Sequence, residues 1–273
     1  DMNGMTVSFF AALDAGGGGY ASNSISLDMG DMGKIKFDQG VGGNGVESID
    51  DKSPTAWEES WDGIAAGDGL STTGSQNVFT YTASFAGFGV NAAWDTEIDD
   101  ARTADGAVSS NSTTNVDGSN TSFAITNATL VDGLDFGVGM SETDVKDGTT
   151  TSTDIETVVG YANYTVGPVT FGYFQSYEST GQRAAASPDA YETDGFGISF
   201  AVNDNMSVSY SEVENEKDFN STTANVTLET EGIGFSYNLG GASLLIQHNE
   251  LNRTWNAAAT DDENTEVRLK MAF

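Results

Sequence analysis

The sequence predicts an all-β protein: a transmembrane, antiparallel, up-and-down β-barrel of fourteen strands, with residues 1–273 as one domain. Three observations carry that expectation. Short segments alternate apolar and polar residues at the two-residue period of a strand. The polar rows are mostly Gly, Ser, Thr, Ala and Asn, whereas a soluble sandwich turns Lys and Glu to water. Connections alternate strictly between short and long, as in barrels with tight turns at one end and long loops at the other.

The elements follow in order. Met5, Val7, Phe9, Ala11 and Leu13 face one way, against Thr6, Ser8, Phe10 and Ala12. Weaker strands fit at 24–29 and 34–39. Phe79, Tyr81, Ala83 and Phe85 form the next apolar row, then Phe88, Val90, Ala92 and Trp94. After a weaker strand at 122–130, Leu134, Phe136, Val138 and Met140 oppose Asp135, Gly137, Gly139 and Ser141. Strands at 154–165 and 169–178 precede the rows Phe196–Val202 and Met206–Tyr210. Ile233 to Leu239, 242–249 and Val267 to Phe273 complete the set. Short connections fall at 30–33, 86–87, 131–133, 166–168, 203–205 and 239–241. The long ones run 14–23, 40–76, 95–121, 142–153, 179–190, 215–225 and 250–264.

Composition narrows the function. Lys plus Arg is 10 against 41 Asp plus Glu, a net charge of −31, which opposes binding to the phosphates of nucleic acid. The absence of Cys removes thiolate catalysis, disulfides and Cys-ligated zinc. The longest apolar runs, such as Phe9–Leu13, are about five residues, where a transmembrane helix needs about twenty. Strands can still cross a bilayer, and there only a closed barrel satisfies every backbone group.

Several motifs resemble known chemistry but lack its context. Gly40-Val-Gly-Gly-Asn-Gly45 matches G-x-G-x-x-G, yet no apolar helix follows and Pro54 interrupts the stretch. His248 is the only histidine and shares the apolar-side parity of Leu244 and Ile246, so no catalytic role is expected of it. Sequons such as Asn111-Ser-Thr and Asn225-Val-Thr arise by chance in so Asn- and Thr-rich a chain. Clustered carboxylates suit a hard cation such as Ca²⁺ at Glu47, Asp50 and Asp51, although the EF-hand spacing is missing. No other cofactor and no enzymatic activity are expected.

The segment Asn3–Ala12, together with Ile25–Gly40, resembles the third to fifth strands of Gram-negative general porins, and the alphaproteobacterial trimeric porins are the relatives it suggests. Gly33-Lys-Ile-Lys-Phe37 leads into a long loop, as the family's fifth strand leads into its constriction loop. Val267–Phe273, ending on Phe, resembles the terminal strand that carries the family's assembly signal. Family members have sixteen strands, and Asp1–Gly4 reads as the tail of a turn. The expectation is therefore a barrel whose first two strands are missing from this sequence, or a fourteen-stranded relative.

The resemblance implies a passive diffusion channel in the bacterial outer membrane, a homotrimer among lipid and lipopolysaccharide. It implies that residues 40–76 fold inward as a constriction loop. Asp50, Asp51, Glu58, Glu59 and Asp62 would then face the wall bases Lys34, Lys36, Arg268 and Lys270, and the acid surplus would favour cations. Trp57 and Trp61, four apart, would sit on one side of a helical turn and anchor the loop to the wall. The rival reading is a plugged or structural outer-membrane barrel serving surface binding or adhesion.

Overall fold

The computed structural model describes residues 4–13, 20–50, 52–61, 64, 76–95, 116–146, 153–181, 188–219, 224–253 and 262–271. They form one antiparallel sheet of fourteen strands in which every strand neighbours the next in sequence. The strands are β1 (Thr6–Leu13), β2 (Tyr20–Asp28), β3 (Lys34–Gln39), β4 (Gln76–Phe85), β5 (Phe88–Asp95), β6 (Val116–Asn127) and β7 (Leu134–Lys146). Then come β8 (Ile155–Val166), β9 (Val169–Ser179), β10 (Pro188–Asn203), β11 (Met206–Phe219), β12 (Val226–Asn238), β13 (Ala242–Arg253) and β14 (Asp262–Met271). Among the described residues β1 pairs only with β2, and β14 only with β13.

The expected alternation sets the two faces. Phe9, Phe79, Trp94, Val138, Val158 and Ile233 are exposed on the outside, while Ser26, Thr80, Ser122, Ser211 and Thr230 are buried inside. This inverts the arrangement of a soluble protein and suits a wall bounded by hydrocarbon. Cross-strand rings reinforce the outer face: Phe37 and Phe79 lie 4.8 Å apart, and Phe79 and Trp94 stack at 6.0 Å. At the short end, Ala86 and Gly87 both take positive φ (50° and 83°) between the paired Phe85 and Phe88. That is the two-residue hairpin whose twist matches the strands it joins.

Several strands outrun their apolar rows. β10 begins at Pro188, eight residues before Phe196, and β11 continues to Phe219, where a loop from 215 was expected. β6 likewise begins at Val116 and β7 extends to Lys146. The reason is that ladder hydrogen bonds do not require hydrocarbon: once register is set, pairing continues into water with polar side chains on both faces.

Candidate functional site

The segment after β3 lies against the inner face of the sheet, and its course starts with one carboxylate. Asp38, buried on β3, accepts from Val41 N (2.7 Å), Gly42 N (3.2 Å), Asn44 Nδ2 (3.1 Å) and Lys36 Nζ (2.7 Å). These bonds turn the chain sharply inward at Gly42 (φ 84°), a conformation that favours glycine. Asn44 and Glu47 then close a capping box over the short 3₁₀ turn Gly45–Ser48. Gly45 lies so close to β6 that a Cβ there would sit 2.2 Å from Ser122 Oγ.

The turn delivers two apolar side chains. Val46 and Ile49 are fully buried among Ala124, Val159, Tyr161, Phe174 and Val213, a small apolar core inside the barrel with Trp61 packed against it. Burying a side chain of this size stabilises by about 1.5–3 kcal/mol. Polar bonds pin the backbone beside it: Gly45 N donates to Asn91 Oδ1 (3.0 Å), and Val46 N to Ser122 Oγ (2.7 Å).

From Lys52 the chain crosses the remaining strands in order. Asn163 on β8 donates to the Lys52 carbonyl (3.0 Å), and Ser209 on β11 accepts from Ala56 N (2.8 Å). Arg268 on β14 reaches Glu58 at 3.5 Å and lies 4.9 Å from the Trp57 ring. The chain then turns back: Asn249 on β13 donates to the Glu59 carbonyl (3.0 Å), and Ser60 pairs with Thr230 on β12 (3.1 Å). Trp61 meets Phe174 on β9 edge-on at 6.1 Å. The wall is thinned where it passes. A Cβ on Gly172 would lie 2.4 Å from Pro54 Cδ, and one on Gly232 2.8 Å from Ser60 Cα. Only a sheet curled around the segment allows these contacts, because a flat one would place β5 and β14 far apart.

The structure places the sequence-predicted residues as follows. Glu58 and Arg268 come together as an ion pair, and Arg268 also holds Glu266 at 2.6 Å. Lys36 is held by its own strand neighbour Asp38 at 2.7 Å and donates to the Gly42 carbonyl at 3.0 Å. Lys34 and Lys270 are exposed, and Asp50 and Glu59 are half-buried. Asp51 and Asp62 lie outside the described residues. The Glu47 carboxylate accepts from Asn44 N (3.0 Å). Among the described residues, the acids grouped closely enough to hold a metal ion are Glu142, Asp144 and Asp154, all exposed, and neither Glu47 nor Asp50 is among them.

Trp57 and Trp61 both touch the wall, but on β14 and β9 respectively. The chain between them bends and turns without forming a helix. Asp38 was missed as the organising residue, although its two-residue spacing from Lys36 already placed both on the inner face.

No family model and no curated protein matches this chain. Solved structures do resemble it. A porin shares 20% identity at a TM-score of 0.63, with 92% of this chain and 81% of that chain covered. The anion-selective porin from Comamonas acidovorans shares 14% at 0.62, covering 93% of this chain and 76% of that one. OmpF from Salmonella typhi, in a complex with daunomycin, shares 10% at 0.54, covering 97% and 94%. These likenesses establish the fold, a porin-like β-barrel.

Proposed function

We propose that the protein is a passive diffusion channel of the bacterial outer membrane, a homotrimer that admits ions and small hydrophilic solutes and favours cations. The observation that carries this reading is the pair of stretches 40–50 and 52–61, folded across the inner face of a barrel whose outer face is apolar. A segment inside such a wall narrows the passage, and in a channel the charges along its edge set which ions pass. Those charges are mainly acidic, with Asp50, Glu58 and Glu59 on the segment and a net charge of −31 on the chain. The fold alone does not fix the sign, since one structural neighbour is an anion-selective porin.

Planar-bilayer recording in a KCl gradient tests both parts. Large, stable current steps with a reversal potential on the cation side are expected. Anion preference would overturn the charge argument. A protein that inserts but stays silent would favour the plugged barrel, for which the segment's contact with so many strands is the supporting observation.

A further inference from the structure

Beneath the inner segment, towards the short-turn end, lies an open cavity of about 420 Å³. Its polar lining includes Ser48 and Lys52 of the segment, Asn91 on β5, Thr126 on β6, Asp135 on β7 and Tyr161 on β8. Two of these carry charge, and each is held in place by a different device.

Asp135 is aimed by a tyrosine. Gly137 stands directly opposite Tyr161 in the β7–β8 register, and a Cβ on it would lie 2.5 Å from Tyr161 Cε1. The missing side chain lets the ring lie across β7, where its hydroxyl donates to Asp135 Oδ1 at 3.0 Å, two residues along. The second carboxylate oxygen takes no protein donor among the described residues. Lys52 is placed by its backbone: Asn163, the cross-strand partner of Asp135, donates to its carbonyl at 3.0 Å. Among the described residues the Lys52 ammonium makes no ion pair, although Asp135 lines the same cavity.

We infer that this cavity is a subsite for zwitterionic solutes of amino-acid size, with the solute ammonium at Asp135 and its carboxylate at Lys52. The inference rests on the channel reading and gives that channel a solute class. A simple cation gains at Asp135 and loses at Lys52, and an anion does the reverse, so neither is favoured. A solute bearing both charges is complemented at both ends. The polarity opposes that of the Glu58–Arg268 contact, where the segment supplies the acid and the wall the base.

The test uses the full chain in detergent micelles and in planar bilayers, with L-glutamine as the probe and glucose as the uncharged control. Equilibrium dialysis should show saturable glutamine binding and none for glucose. Lys52→Met and Asp135→Asn should each weaken it about tenfold or more, the scale of one charge-assisted hydrogen bond. The exchanged pair, Lys52→Asp with Asp135→Lys, should restore binding, because the solute can enter reversed. Absence of saturable binding to the folded wild type, or wild-type affinity in both single variants, overturns the inference. Failure of the channel reading shows separately, as absence of current.

Discussion

The inner segment has two halves that are held in opposite ways. Between Asn44 and Asp50 it is fastened by burial: Val46 and Ile49 are 0% and 1% exposed, within an apolar cluster. Between Lys52 and Trp61 nearly every residue is half-buried, and apart from Trp61, which packs on Phe174, the chain hangs from single polar contacts to β8, β11, β12, β13 and β14. The first half is a core, cooperative and intolerant of change. The second is a series of separate contacts, each near the net worth of one hydrogen bond. The first half therefore fixes where the segment lies, and the second leaves its edge adjustable. Functional charge belongs beyond the buried turn, and Glu58, Glu59 and Lys52 are there, with Asp50 at the boundary between the halves.

The comparison breaks most severely at the root of the first half. Asp38→Ala removes the carboxylate partner of the Lys36 ammonium, which keeps only the Gly42 carbonyl at 3.0 Å, and the acceptor of three further donors, which together should cost about 3–5 kcal/mol. Urea unfolding in detergent measures it, and a loss below about 1 kcal/mol would show that the carboxylate does not organise the turn. Ile49→Ala should follow at about 2–5 kcal/mol, because its neighbours belong to a rigid wall that cannot collapse into the void. Both variants should also enlarge unit conductance as the segment loosens.

How much of this was legible in the sequence follows from which forces act locally. The outer rows were legible because hydrocarbon contact demands apolar residues at a period of two, as in Phe79, Tyr81 and Phe85. The upper reaches of β10 to β12 were not. There acids face outward in direct opposition, Asp194 against Glu214 and Glu212 against Glu231, and like charges paired in this way read as loop. The inward course of residues 40–61 was available only through the family resemblance. Its partners, among them Ser122, Ser209 and Asn249, are small polar wall residues indistinguishable from others that touch nothing. Lys52 and Asp135 were invisible as a pair because only the β7–β8 register and the Asn163 bond bring them to one cavity.

On the second half the effects should be smaller. Ser209→Ala removes the acceptor of Ala56 N and should cost about 1 kcal/mol in the same unfolding measurement. A loss matching that of Ile49→Ala would mean that both halves are held as one unit.

Smallest in stability, and sharpest in function, is the pair at the segment's far end. Arg268 meets Glu58 at 3.5 Å and Glu266 at 2.6 Å, with its side chain 43% exposed. Solvent screens such a contact, so Arg268→Gln should change stability by under about 1 kcal/mol. The charge still faces the interior, and its removal should move the reversal potential further to the cation side, whereas Glu58→Gln should move it the other way. The double variant should return close to wild type, because two opposed charges have been removed together. Raising the salt from 0.1 M to 1 M, where the screening length falls from about 10 Å to about 3 Å, should shrink both single shifts. Shifts that persist at 1 M would mean that Arg268 works by positioning Trp57 under its guanidinium, and the far end would then be held by packing as the near end is.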